Sequence, residues 1–279
     1  MLAIGCHISI ARGFTKAIEE ALQINANTFQ FFTRNPRGGA VKELQNNDLA
    51  EFIRLYNDNN FFPLFAHAPY TMNLSSDKEH IRTFARNVFE EDLEKLKKLP
   101  ESWYVFHPGS HVGQGKEQAV EFILSAVNQV VTESNQVTVL LEGMSGKGTE
   151  VGGTFEELSE MIQGIKYNKH VGVCLDTCHL FAAGYDIVND LDGVLADFDS
   201  VIGLERLKAI HLNDSKVEFA SKKDRHELLG EGLIGLEAIV SVINHPLLKH
   251  VVFNLETPNE LEGYGREIAL LRSRYQGVD

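Results

Sequence analysis

Nine side chains in this chain of 279 residues have the types and spacing of a shared metal site: His67, His107, Glu142, Asp176, His179, His211, Asp224, His226 and Glu256. Six of them, His67, His107, Glu142, Asp176, His211 and Glu256, are separated by 40, 35, 34, 35 and 45 residues, and each closes a short apolar run. A lone buried histidine is more often structural than a ligand. Six imidazole or carboxylate groups at equivalent positions, however, are a poor way to build a core, and their common register argues for ligation. In Asp176-Thr-Cys-His179 an imidazole follows a carboxylate by three residues, where a turn can bring both inward. Asp224-Arg-His226 alternates, so that in extended backbone both ligands face one side and Arg225 the other.

Five imidazoles among the nine donors favour zinc or another borderline first-row ion over magnesium or calcium. Nine donors are too many for one tetrahedral ion and suit two or three ions with bridging carboxylates. Clustered divalent ions acidify a bridging water, clamp phosphoryl oxygens and stabilise a departing alkoxide. Hydrolysis of a phosphodiester is therefore the leading reaction class.

The elements that must position these groups are eight apolar runs: 2–9, 28–33, 63–70, 102–109, 137–144, 171–178, 207–214 and 251–258. Between them, segments such as 48–59, 81–99, 116–131 and 154–165 repeat apolar residues every three to four positions, as amphipathic helices do. Near-continuous apolar strands bounded by helices suit a parallel sheet buried on both faces. Eight such units predict an α/β chain folded as one (β/α)8 TIM barrel domain over 1–279, with the metal cluster at the C-terminal mouth of the strands. An open doubly wound sheet is the alternative, but no Gly-rich phosphate turn follows any run.

Composition sets the outer bounds. With 26 Lys and Arg against 39 Asp and Glu the net charge is −13, which excludes non-specific coating of nucleic acid but not a focused, metal-centred cleft. A chain of this length buries enough surface to need no metal for folding alone. Cys6, Cys174 and Cys178 form no CxxC pair and read as buried thiols in a reducing, cytoplasmic compartment. No cationic leader precedes the first apolar stretch, and no apolar run approaches the roughly 18 residues that span a bilayer.

Five segments, HAPY (67–70), FHPGSH (106–111), GVCLDTCHLFAAGYD (172–186), HLNDSK (211–216) and DRHELLGEGLIG (224–235), together with LETP (255–258), resemble the endonuclease IV family of apurinic/apyrimidinic endonucleases. The resemblance runs from GCHIS to near the C-terminus. It implies a zinc-dependent barrel with three Zn2+, one site of which accepts Mn2+ or Fe2+. Such an enzyme cleaves double-stranded DNA on the 5′ side of an abasic site, leaving a 3′-hydroxyl and a 5′-deoxyribose phosphate, and cleans blocked 3′ ends. His67, His107 and Glu142 would hold one zinc. Glu142 would share a second with Asp176, His211 and Glu256, and His179, Asp224 and His226 would hold the third. A hydroxide bridging the first two ions would attack phosphorus, which makes Glu142 the catalytic bridge, while Glu256 orients or deprotonates that nucleophile.

The same resemblance places Arg34 and Arg37, in the loop after the second run, and Tyr70 in the DNA minor groove and base stack. The family often carries a bulky aromatic after that arginine, where this chain has Gly38 and Gly39, a departure that bears on wedging and not on chemistry. Lys147, in the turn Ser145-Gly-Lys-Gly-Thr149, is a candidate phosphate contact through an anion nest. Lys222, Lys223 and Arg225, in the ligand-bearing loop, are candidate backbone contacts. His7 and His111 are assigned to hydrogen bonding or packing beside the ligands, and His80, His170, His245 and His250 to the surface. Cys174 and Cys178 are expected to alternate with Asp176, point away from the mouth and take no metal. A sugar isomerase or epimerase on a related barrel is the competing enzyme class, and a non-catalytic DNA-binding relative would be expected to have lost ligands. Nothing demands more than a monomer.

Overall fold

In the computed structural model, residues 1–35 and 45–277 are described. The chain alternates strand and helix: β1 (Ile4–Cys6), α1 (Phe14–Gln23), β2 (Gln30–Phe32), α2 (Asn46–Asp58), β3 (Leu64–His67), α3 (Glu79–Leu96), β4 (Ser102–Phe106), α4 (Lys116–Val130), β5 (Thr138–Glu142), α5 (Phe155–Gly164), β6 (Val171–Asp176), α6 (Thr177–Ala183), α7 (Leu191–Val201), β7 (Leu207–Leu212), β8 (Asp214–Ser215), β9 (His226–Glu227), α8 (Leu236–Asn244), β10 (Val252–Leu255) and α9 (Leu261–Arg274). Each expected run contains one barrel strand, trimmed at its ends. The strands are buried almost throughout because helices cover one face and the barrel interior the other.

Eight strands pair in parallel in the order β1-β10-β7-β6-β5-β4-β3-β2. The circuit closes between β1 and β2 at a single bridge, His7 with Gln30. Below it the two strands approach so closely that a Cβ on Gly5 would lie 2.1 Å from the Thr28 carbonyl oxygen, which only glycine permits. Lower still, Asn27 joins them through side-chain hydrogen bonds with Ile4 N and the Leu2 carbonyl. The fold is a TIM barrel, as expected. The short strands β8 and β9 pair antiparallel in the excursion between β7 and α8.

Side chains two residues apart on a strand share a face. Phe65, Val105, Leu140, Cys174 and Ala209, two residues before His67, His107, Glu142, Asp176 and His211, form an apolar cluster with Ala3, Trp103 and Val252. This layer fills the barrel below the polar ring and gives it a dry floor. Cys174 therefore faces the interior on the same side as Asp176, contrary to the expected alternation, which miscounts the parity of positions 174 and 176.

Candidate metal centre

At the mouth the strand ends bring the expected side chains together. His67, His107 and Glu142 form one group, Glu142, Asp176, His211 and Glu256 a second, and Asp176, His179 and His226 a third; within each group the potential ligand atoms lie within 4.8 Å of one another. Glu142 belongs to two groups. Its Oε2 lies 3.0 Å from His67 Nε2 and 3.2 Å from His107 Nε2, while its Oε1 lies 3.2 Å from His211 Nδ1. Asp224 completes the third expected set, its Oδ1 standing 3.5 Å from His179 Nε2 and 3.1 Å from His226 Nε2.

The second nitrogen of most of these rings is already committed. His67 Nδ1 bonds the Ala68 carbonyl at 2.7 Å, His179 Nδ1 that of Gly143 at 3.0 Å, and His226 Nδ1 that of Glu256 at 3.1 Å. A carbonyl partner makes that nitrogen the N–H and leaves the other a free lone pair, as metal-ligating histidines require. Two of the freed atoms, His179 Nε2 and His226 Nε2, are buried without a hydrogen bond. Buried nitrogens that face carboxylates and bond nothing fit a metal-ion site.

Local folding explains the placement. Asp176 ends β6 and caps α6, its Oδ1 accepting from Cys178 N at 2.7 Å and His179 N at 3.0 Å, so the first turn of α6 carries His179 into the mouth. Asp176 Oδ2 accepts from Asn213 Nδ2 at 2.7 Å and stays turned toward His226. The loop bearing His226 is tied to Asp214, which is fully buried. Its carboxylate accepts from the backbone N–H groups of Ser215, Gly230, Gly232, Ile234 and Gly235.

Gln30, on β2, escaped sequence reasoning because an amide is not a metal-ligand signal. Its Oε1 accepts from His211 Nε2 at 2.8 Å, and its Nε2 donates to Glu256 and lies 3.4 Å from His7 Nδ1. Gln30 thereby aims His211 Nδ1 at the carboxylates. With His7 it supplies the two strands that lack a ligand, so every strand of the barrel contributes a polar group to the ring. Burial depresses His7 to about 4, consistent with a neutral hydrogen-bonding role.

Electrostatics follow the geometry. Burial alone would depress the imidazoles, but the carboxylates outweigh it: Glu142 raises His107, and Asp176, Asp224 and Glu142 raise His179. His226 reaches about 9 against burial, chiefly through Asp176 and Asp224. Burial likewise opposes the ionised form of Glu142, yet His107 and His211 hold it well below the usual carboxylate range. Without an ion, the carboxylates thus favour the protonated forms of His107, His179 and His226.

The expected DNA-contact residues fare unequally. Tyr70 is 63% exposed, its ring against Phe32, His67 and His107 at the lip of the mouth. Lys147, Lys222, Lys223 and Arg225 are exposed. The turn around Lys147 is not a vacant nest, however: the Glu150 carboxylate accepts from Lys147 N at 2.9 Å and from Ser145 Oγ at 3.2 Å. Arg34 is a clearer correction. Its guanidinium is buried against α3, 2.6 Å from Asp92 Oδ1 and 3.2 Å from Glu91 Oε2, and Asp92 also accepts from Thr33 and Tyr104. Arg34 anchors the root of its loop and presents no charge to the mouth. Arg37, Gly38 and Gly39 lie outside the described residues. His111 Nδ1 accepts from Gly113 N at 3.1 Å, a turn role and not ligation. Beside the cluster a pocket of about 450 Å³ is lined by His7, Phe32, Tyr70, Glu256 and Tyr264, among others.

A family model described as a xylose isomerase-like TIM barrel matches residues 18–274. The chain is 56% identical over 276 residues to the probable endonuclease 4 of Clostridium botulinum, covering 99% of this chain and 100% of that protein. Among solved structures it is similar to endonuclease IV from Thermus thermophilus, with TM-score 0.87, 35% identity and 98% of each chain covered. D-psicose 3-epimerase from Clostridium cellulolyticum shares the fold at TM-score 0.69 and 16% identity, covering 98% of this chain and 97% of that one.

Proposed function

Because the chain belongs to the endonuclease IV family, we propose that it is a DNA repair endonuclease hydrolysing the phosphodiester on the 5′ side of an abasic site, leaving a 3′-hydroxyl and a 5′-deoxyribose phosphate. The same centre removes blocking groups from 3′ ends. The observation that carries this reading is Glu142, whose two oxygens face two different groups of imidazoles at the barrel mouth.

His67, His107 and Glu142 would hold one Zn2+; Glu142, Asp176, His211 and Glu256 a second; His179, Asp224 and His226 a third, with Mn2+ or Fe2+ acceptable at one position. When bound, the ions supply Lewis acidity that neutralises phosphoryl charge, makes water acidic enough to attack and stabilises the leaving 3′-oxygen. Glu256, anchored by Gln30, turns Oε2 to within 3.3 Å of His211 Nδ1 and accepts the nucleophile's proton. Tyr70 stacks where the lesion is exposed. Lys147, Lys222, Lys223 and Arg225 contact phosphates around it. An abasic nucleotide lacks a base to unpair, so turning it into the mouth costs less than flipping an intact one. The chain works as one catalytic domain and as a monomer, in a reducing cytoplasm that suits its three unpaired thiols. Among the described residues no helix is long and apolar enough to cross a membrane.

The test is a duplex oligonucleotide carrying one abasic analogue, incubated with the protein with and without a chelator while bound metal is measured. A single cut one bond 5′ of the lesion, abolished by chelation and restored by Zn2+, is expected. No cut, together with ketose–aldose interconversion, would overturn the reading in favour of a sugar isomerase.

A further inference from the structure

A cut on the 5′ side of a lesion leaves the abasic sugar attached to the reacting phosphate. The sugar, and the phosphodiester on its 3′ side, must then lie beside the ligand ring. The cavity of about 450 Å³ that has Glu256 in its wall gives them room. Its lining passes from His7 and Glu256 at the strand ends to Glu20 on α1, one of the covering helices. Glu20, Glu256 and Glu260 bring three carboxylates to it, and His7 stays neutral. Among the described residues that line it, Arg12 is the single cation, so an anion entering this space has one place to settle.

Arg12, in the loop between β1 and α1, is held in advance from two sides. Its Nη2 pairs with Glu20, whose side chain is 11% exposed against 68% for that of Arg12, so the carboxylate lies beneath and the guanidinium faces outward. Only Nη2 is used in this way; Nε and Nη1 have no hydrogen bond among the described residues. The backbone that follows is fixed as well. Asp48 accepts from Phe14 N at 2.7 Å and Thr15 N at 3.0 Å, and a Cβ on Gly13 would lie 2.9 Å from that carboxylate. A guanidinium immobilised beforehand, with donors to spare, loses little freedom on meeting a phosphate and bonds it more strongly than a neutral donor does.

We propose that Arg12 contacts the phosphate on the 3′ side of the abasic nucleotide and so favours lesions inside a strand over blocked 3′ ends, an inference that rests on the endonuclease reading above. A blocked 3′ end has no such phosphate, because the strand stops at the blocking group. Incision within a strand gains from Arg12, and end cleaning does not.

The experiment compares the zinc-loaded full chain on two duplexes, one with an internal abasic analogue and one with a nick ending in a 3′-phosphate. Arg12→Ala should lower kcat/KM for internal incision about tenfold more than for removal of the 3′-phosphate. A neutral methylphosphonate in place of the phosphodiester 3′ of the analogue reads the same contact without any variant. It should slow the wild type about tenfold and Arg12→Ala hardly at all. Equal losses on the two duplexes, or a wild type indifferent to the methylphosphonate, would overturn the role of Arg12 and leave the endonuclease reading standing. A wild type that cuts neither duplex would overturn that reading and this inference with it.

Discussion

At the scale of single residues, the proposed centre would depend on groups that ligate and groups that aim them. Glu142→Gln keeps the size of the side chain but removes the charge shared by two ligand groups. Cleavage of an abasic duplex should fall more than about 100-fold while the circular dichroism of the barrel is unchanged. Gln30→Leu leaves every ligand in place yet frees His211 and Glu256, and zinc affinity measured by chelator competition should drop about 10- to 100-fold. The protonation of His226 gives a pH test. Its folded value of about 9 lies above the ordinary 6.5, so it stabilises the metal-free protein below pH 6.5 and that contribution is lost as pH rises through 9. Zinc requires the neutral ring, so zinc affinity rises across the same interval, with proton release on binding. A flat affinity over that range would contradict the assignment. Six of the proposed ligands were legible in the sequence because each is a titratable group at the same point of a repeating unit, and His179, Asp224 and His226 through their spacing in DTCH and DRH. Gln30 was not, since nothing in its chemistry separates it from an ordinary buried amide.

At the scale of elements, the strands place the ring and the loops refine it. Strand alternation made the direction of His67 or His107 readable from position alone. The rule stops where β6 gives way to α6, so Cys178, expected to point away, lies on the first turn of the helix beside Asp224 and His226. Arg34 departs from expectation for a different reason: its partners Asp92 and Glu91 lie more than fifty residues away on α3, where the sequence suggests only a solvated acidic stretch. Since the Arg34–Asp92 pair is buried, Arg34→Ala should cost about 3 kcal/mol in denaturant unfolding by leaving Asp92 unpaired. Abasic cleavage per folded molecule should change little; a large loss of DNA affinity with full stability would restore the DNA-contact role. The loop after β9 has an equivalent anchor in Asp214. A Cβ on Gly232 would lie 2.4 Å from its Oδ1, so the glycine-rich turn exists to let backbone N–H groups close on one carboxylate.

For the whole molecule, the net charge of −13 opposes an anionic duplex, and the offset must be concentrated at the mouth. Acidic side chains such as Glu90 and Glu94 are exposed on α3, one of the covering helices, while the mouth would gather divalent ions beside Lys222, Lys223 and Arg225. Removing the metal should therefore raise the Kd for an abasic duplex by about tenfold or more in fluorescence anisotropy, as well as stop cleavage. An unchanged Kd would show that the protein cations suffice. The barrel's closure ties this chemistry to mechanics. Seven of its junctions are zipped by ladders of paired residues, but the eighth is fastened near its rim at one point, between His7 and Gln30. The strand carrying that clasp also steadies His211 and Glu256, so an ion drawn between those two would tighten the seam as it binds. Loaded, the cylinder would be locked at its weakest stave. Stripped, it is free to breathe there first, and amide exchange at Ile8, whose N–H donates to the Gln30 carbonyl at 2.8 Å, is where the loosening would be felt.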